Sequence, residues 1–374
     1  MEYLVRQERL LSEFFCLTKI DAHSFEEREK ADYLKKRLIK LGFEVQEDDA
    51  GDFYKGNAGN LYAYKKGNIA GEPVLFSAHM DTVAPGKGIK ASIDENGKIT
   101  SDGSTVLGAD DNAGLVSILE AITAIEENEL RHRDVELLFT IGEEAYLRGS
   151  EVFDYTKIRA THGYVLDLSG KIGTAATQAP TLLSFTVKIQ GKASHAGFAP
   201  EEGINAIQTA AKIIARLQQG RINEETTLNI GCIEGGISTN IVSEECIFKG
   251  EVRSLRHADA LQQIDLLKSL IEEERKKSQA SYTMETSIGC IAYSIEKNAD
   301  VIKRFEAVCQ NLNLDMKLIT TLGGSDNNNL VRHGIQGIVL ACGMEQVHSC
   351  QEYTFIEELN KSAQVVLELM TNKL

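Results

Sequence analysis

Several things are missing from this chain, and each absence excludes a class of protein. The seven cysteines, Cys16, Cys232, Cys246, Cys290, Cys309, Cys342 and Cys350, are odd in number and scattered, and no Cys-x-x-Cys pair occurs. A disulfide framework and a structural zinc knuckle are thereby set aside, and a reducing, cytoplasmic location is expected. No apolar run is long enough to span a bilayer. The start, Met1-Glu2-Tyr3-Leu4-Val5-Arg6, has no apolar core of signal-peptide type. Basic residues are in deficit: 40 Lys plus Arg stand against 55 Asp plus Glu, a net charge of −15. A chain of that sign is a poor match for phosphates or anionic lipid, so no nucleic-acid and no membrane partner is expected. The acid excess fits solubility and partial neutralisation by bound cations alike. No Gly-x-Ser-x-Gly elbow is present. Cys350 beside His348 does not replace it, because neighbours two apart rarely form a catalytic dyad. Internal repeats and low-complexity segments are also lacking.

What is present begins with size. The 374 residues exceed what one core usually holds, so two domains are expected. Apolar (43%) and charged (25%) fractions are those of ordinary globular proteins. A helix is expected over 3–16. A second, carrying Ala31, Leu34, Leu38 and Leu41, opens with a capping box from Ser24 to Glu27 and stops at Gly42. Strands follow at Phe43–Glu47, Asn60–Lys65 and Val74–Ala78, with a loop and a short hairpin over 85–103. The third strand ends in His79 and Asp81, which share a side of an extended chain and suit an imidazole ligand with a carboxylate neighbour. Asp110 and Asp111 sit behind a Gly-Ala turn at the head of a helix marked by Leu115, Ile118, Leu119, Ile122 and Ile125. Capping and dipole compensation are the bland account of that pair. The strand Val135–Ile141 leads into Gly142-Glu143-Glu144, and the strand Gly163–Leu168 carries Asp167 near its end. Acids thus recur just past the C-terminal ends of successive strands, the edge at which open α/β sheets bind ligands. Strands alternating with helices give the α/β class.

Near residue 180 the pattern changes. Strand Leu182–Gln190, a helix from Ile204 to Leu217, strands Thr226–Ile233 and Glu245–Leu255, helix Ala258–Ser278 and strand Ser281–Ser287 make a ferredoxin-like order. Later pieces (helix Val301–Leu312, extended Met316–Thr320, strand Ile335–Ala341 and helix Phe355–Lys373) are too few for a domain and complete the first sheet. The expected division is 1–178 and 291–374 for a catalytic domain, with 179–290 inserted.

His79, Asp81, Asp110, Asp111, Glu143, Glu144, Asp167 and His348 form a mixed nitrogen and oxygen donor set. Such a set suits zinc, manganese or cobalt, and the lack of cysteine ligands favours catalysis over structural support. With a bridging carboxylate, two metals about 3.5–4 Å apart are accommodated. Of the adjacent Glu143 and Glu144, one can ligate while the other takes a proton from water. A binding protein without turnover is the rival class, and the spare carboxylate counts against it.

The set Ser77-Ala78-His79-Met80-Asp81, Gly108-Ala109-Asp110-Asp111, Gly142-Glu143-Glu144, Asp167 and His348 resembles the two-zinc exopeptidase and deacylase family, which includes peptidase T, carboxypeptidase G and succinyl-diaminopimelate desuccinylase. The likeness spans nearly the whole chain and is nearest to the peptidase T-like branch. It implies an α/β fold of zinc-exopeptidase type, a mixed sheet with helices on both faces, plus an inserted ferredoxin-like α+β lid. It implies two zinc ions per chain: Asp110 bridging, His79 and Asp167 on one ion, Glu144 and His348 on the other. Asp81 would orient His79, Glu143 would be the base, and Asp111 would follow Asp110 through an unusual peptide bond without binding metal. From the lid, His195 in Ser194-His195-Ala196-Gly197 would stabilise the oxyanion, often across a dimer, while Asn240 and Arg253 would meet the substrate carboxylate. Gly323 and Gly324 resemble the substrate loop, and Asn327-Asn328-Asn329 depart from the smaller residues the family leads one to expect after it. The implied activity is aminopeptidase action on tripeptides by a homodimer, with carboxypeptidase or N-acyl-amino-acid deacylase as the alternative.

Overall fold

The computed structural model describes residues 4–372. The first helix runs over Gln7–Thr18 and the last over Ile356–Thr371. The expected beginning of the one at Tyr3 and end of the other at Lys373 lie outside the described residues.

The chain forms two compact units. One runs to Gln178 and resumes over Ser294–Thr320 and from Ser325; the other comprises Ala179–Tyr293 with Thr321–Gly324. The first unit is built on a mixed sheet whose strands follow the order Glu44–Glu47, Leu61–Lys65, Val135–Thr140, Val74–His79, His162–Leu168, Gln336–Ala341 and Thr174–Ala179. Val135–Thr140, Val74–His79, His162–Leu168 and Gln336–Ala341 pair in parallel. Every residue of Val74–His79 and of Val135–Thr140 is buried, as expected where a parallel sheet is covered on both faces. Because these strands point the same way, their C-terminal ends open on one edge. His79, the Gly142–Glu144 turn and Asp167 all lie there.

The helix Ala109–Glu127 is apolar on nearly every face and packs in the core. It approaches the sheet so closely that a Cβ on Gly114 would lie 2.6 Å from the Leu166 carbonyl oxygen and 2.3 Å from Asp111 Oδ1. The expected hairpin within 85–103 exists as Ser92–Ile93 and Lys98–Thr100, with Tyr353–Phe355 added to its edge.

The second unit has a five-stranded antiparallel sheet in the order Gly220–Asn223, Thr226–Gly235, Glu245–Ser254, Thr181–Gln190, Ser281–Cys290. Without its first member this is the ferredoxin-like strand order. Leu183, Phe185, Val187 and Ile189 alternate with outward-facing residues and join Ala206, Ala210 and Ile213 of one helix and Leu267 and Leu270 of another in a core. The extra strand, Gly220–Asn223, was not legible in the sequence because Gln-Gln-Gly-Arg-Ile-Asn has no apolar alternation.

One expectation fails. Ser24 and Glu27 do not cap the second helix, which spans Arg28–Lys40 and has no side-chain cap. Ser24 Oγ donates instead to Asp81 Oδ2 (2.6 Å), and Glu27 Oε1 accepts from the Gly142 amide (2.9 Å). Long-range partners outcompete the local cap.

Gly114→Ala is expected to destabilise the protein by about 1–3 kcal/mol through overpacking against a backbone carbonyl that has no rotamer to move. Equilibrium denaturation of the two proteins checks this, and an unchanged midpoint would refute it.

Candidate metal centre

Three turns and one loop of the first unit bring the expected ligands together. His79 closes its strand. Its Nε2 lies 2.9 Å from Asp110 Oδ1 and 3.8 Å from Asp167 Oδ1. His348 Nε2 lies 3.2 Å from Asp110 Oδ2 and 3.0 Å from Glu144 Oε1. The two oxygens of one buried carboxylate therefore face two different imidazoles. Groups able to hold an ion are His79 with Asp110 and Asp167, Asp110 with Glu144 and His348, and His79 with Glu143 and Glu144. Asp110 is common to the first two.

The donor set fits divalent cations. Among the described residues, Asp110, Glu144 and Asp167 find their ion-pair partners only in His79 and His348. A cluster of buried carboxylates without Lys or Arg is costly unless a cation joins it. Burial, with Asp110 alongside, pushes Asp167 well above the usual carboxylate range. Burial, with Asp167 alongside, does the same to Glu143. Asp110 goes the other way: burial would raise it, but the hydrogen bonds from His348 and His79 hold it low. His348, bonded to Asp110 and Glu144, is pushed up to about 10. Burial would lower His79, yet its bonds to Asp110 and Asp81 carry it well above the ordinary imidazole value.

Supporting groups set the orientations. His79 Nδ1 has the Asp81 carbonyl at 3.0 Å and the Asp81 carboxylate at 3.4 Å. That carboxylate also accepts from the amides of Glu143 (3.0 Å) and Glu144 (3.1 Å), so it organises the turn that carries both glutamates. Asp111, joined to Asp110 by a cis bond, is in none of the groups able to hold an ion among the described residues and accepts from the amides of His79 (3.1 Å) and Gly114 (3.0 Å). Glu352, which sequence reasoning missed, is buried and accepts from the amides of Gly108 (2.8 Å) and Asp110 (2.9 Å), tying the segment after His348 to the Asp110 turn. Its only local signal is an acid four residues past His348.

The remaining candidates belong to the second unit, except Asn327, Asn328 and Asn329. Those three are buried in the first: Asn327 Nδ2 donates to the Gly337 carbonyl (2.8 Å), Asn328 Oδ1 accepts from the Ser325 amide (3.1 Å), and Asn329 Nδ2 donates to Ser150 Oγ (2.9 Å). They brace a short helix, Asn327–Arg332. In the second unit, the Ala196 amide donates to the Asn240 carbonyl (3.0 Å), setting the His195 and Asn240 segments side by side. His195 Nδ1 accepts from the amides of Gly197 (3.1 Å) and Phe198 (3.2 Å), which leaves the ring proton on Nε2. Arg253 donates to the Leu322 carbonyl (2.9 Å) and pairs with Glu251 (2.8 Å), so it reaches the loop that holds Gly323 and Gly324.

The chain is similar to known peptidases. The family model described as the peptidase dimerisation domain matches residues 178–279, and that of peptidase family M28 matches residues 60–199. The chain is 39% identical over 367 residues to the uncharacterized protein YqjE of Bacillus subtilis, covering 98% of this chain and 99% of the relative. The crystal structure of aminopeptidase PepT from Bacillus cereus superposes with a TM-score of 0.92 at 38% identity, covering 98% of this chain and 99% of that one. A tripeptidase from Staphylococcus aureus gives a TM-score of 0.95 at 34% identity, covering 98% of each chain.

A metal held at His348 would displace a proton, because the hydrogen bonds to Asp110 and Glu144 push the ring up to about 10. Affinity is therefore expected to rise with pH, by about tenfold per unit for each proton displaced. Calorimetric titration of zinc into metal-free protein at about pH 6 and about pH 8 tests this, and equal affinities would contradict it.

Proposed function

We propose the activity from a plain premise: this chain belongs to the peptidase T-like family of metallopeptidases. It is a metal-dependent peptidase, and we read it as an aminopeptidase that removes the N-terminal residue of tripeptides. The observation that carries the reading is Asp110, one buried carboxylate facing His79 with one oxygen and His348 with the other.

In this reading His79, Asp110 and Asp167 would hold one ion, and Asp110, Glu144 and His348 would hold a second. Zinc is the proposed ion, with cobalt or manganese suited to the same donors. When bound, such a pair polarises the scissile carbonyl and acidifies the attacking water. Glu143 would act as the base that takes a proton from the attacking water and the acid that returns it to the departing amine. Its burial, with Asp167 alongside, raises the carboxyl above the usual range, which makes it a stronger proton acceptor. Asp81 holds His79 and the glutamate turn in place. His195, with its proton on Nε2, is proposed as the oxyanion donor. Asn240 and Arg253 are proposed for the peptide carboxylate, which a guanidinium meets in bidentate fashion, and Gly323 and Gly324 for close approach of the peptide.

A homodimer through the second unit is part of the proposal. The strand Thr226–Gly235 pairs with Gly220–Asn223 only over Thr226–Leu228, so the rest of that edge is unpaired among the described residues. Ile233 and Ile237 are 54% and 88% exposed beside it. An open strand edge flanked by exposed apolar side chains is a template for a second copy. The seven cysteines are unpaired, which supports the cytoplasm as the location. Among the described residues no helix is long and apolar enough to cross a membrane.

Two metals per chain by mass spectrometry and hydrolysis of an unblocked tripeptide are expected. Glu143→Gln should keep the metals and lose about 10²–10⁴-fold in kcat. Cleavage of an N-blocked peptide with release of its C-terminal residue would replace the aminopeptidase reading by a carboxypeptidase or deacylase.

Ile237→Asp, with Ile233→Lys, is expected to shift the protein from dimer to monomer in sedimentation. A wild-type monomer, or a variant that stays dimeric, would remove the strand edge as the interface.

A further inference from the structure

The residues from Ser24 to Lys30 behave unlike a helix leader. Ser24 Oγ donates to Asp81 Oδ2 at 2.6 Å. Phe25 takes a left-handed φ of 70°, a conformation bulky residues rarely adopt, and the result is a ring so close to Gly142 that a Cβ there would lie 2.6 Å from it. Glu27 is fully buried, and its Oε1 accepts from the amides of Phe25 (2.8 Å) and Gly142 (2.9 Å). Lys30, also buried, donates from Nζ to Asn112 Oδ1 at 2.9 Å, and Asn112 Nδ2 holds the Gly108 carbonyl at 2.6 Å. One short segment thus reaches the Asp81 turn, the turn of Glu143 and Glu144, and the turn of Asp110. Backbone strain of this kind persists only where surroundings over-determine it, and it clusters at functional sites.

We propose that Ser24 and Glu27 are positioning residues: this segment is a bracket that fixes the base and ligand turns relative to one another, acting through Asp81 and the Gly142 amide. The inference rests on the roles given above to Asp81, Glu143 and Glu144. It requires a hydrogen-bond acceptor at Glu27 and not its charge, because Oε2 makes no hydrogen bond among the described residues.

The test uses Ser24→Ala, Glu27→Ala, Glu27→Gln and Arg28→Ala in the full chain. Arg28 pairs with Asp32 in its own helix and with Glu47 at the end of the strand Glu44–Glu47, and it hydrogen-bonds none of the three turns, so its loss reports what a merely structural defect does. Each protein is titrated with zinc from the metal-free state, and kcat and KM are measured on a tripeptide. Ser24→Ala and Glu27→Ala are expected to lower zinc affinity and kcat about tenfold, with KM within about twofold. Glu27→Gln, which keeps the carbonyl acceptor, and Arg28→Ala are expected to stay within about twofold of wild type in both. Unchanged zinc affinity and kcat in Ser24→Ala and Glu27→Ala would overturn the proposal. So would a loss in Arg28→Ala or Glu27→Gln as large as that in Glu27→Ala. A wild type that binds two zinc ions but cleaves no tripeptide would sink the aminopeptidase reading instead, and the zinc titrations would still decide the bracket.

Discussion

The contact on which the rest depends is the Asp110 carboxylate held between His79 and His348. It draws the end of one strand, the head of a core helix and a late loop to a single point, with Glu144 and Asp167 close by. Like charges packed this densely repel, and at low dielectric the cost is large. The fold counters it from outside the cluster. Asp81, Glu27 and Glu352 are acids too, yet each accepts backbone amides from the turns that carry ligands. The positive ends of those peptide dipoles face the outer carboxylates. The inner side chains are left turned toward the centre, where cations complete the balance.

The gathering of the candidate ligands on one edge was legible in the sequence because parallel strands repeat a simple pattern. An apolar run is followed at once by an acid or histidine, and topology brings all such ends to one edge. The Val74–His79 and Val135–Thr140 strands need only their own residues to be recognised. Ser24 and Glu27 were misread for the opposite reason. Their spacing satisfies a local rule, and nothing nearby announces that Asp81 and Gly142 will claim them. Asn327, Asn328 and Asn329 stood out in the sequence only as larger than the family leads one to expect, and their partners Gly337, Ser325 and Ser150 were not legible there. Glu352 was silent because its partners are backbone amides more than two hundred positions away. Periodicity encodes burial, and it cannot encode which distant amide a buried acid will accept.

The same contrast holds in the second unit. Its core follows alternation on Thr181–Gln190 and helical spacing on Ala206–Ile214, both plain in the sequence. Its edge does not. Gly220–Asn223 covers only the first residues of its neighbour, and beyond them Thr226–Gly235 is irregular between Ile230 and Cys232 and carries Ile233 and Glu234 outward. A bulge and a charge are the usual guards of a strand edge, and Ile233 is the apolar residue exposed beside them.

Sharp turns are the means by which the strands deliver their side chains inward. Gly108 and Gly142, directly before the Asp110 and Glu143 segments, have φ of 70° and 56°. Glycine meets that demand at no steric cost. The histidine loop has no such relief: His348 itself sits at φ 60°, where an L side chain costs roughly 1–2 kcal/mol. A glycine there would be easier for the backbone but would remove the imidazole that faces Asp110 and Glu144. The residue is therefore held in an unfavourable conformation by what its side chain contacts. Phe25 at φ 70° obeys the same logic from the opposite side of the Glu143 turn. Left-handed residues also occur elsewhere, at Lys55, Glu129 and Asn313, but Phe25 and His348 are the ones whose side chains meet the Glu143 and Asp110 turns, and the regular elements behind those turns supply the rigidity that sustains them.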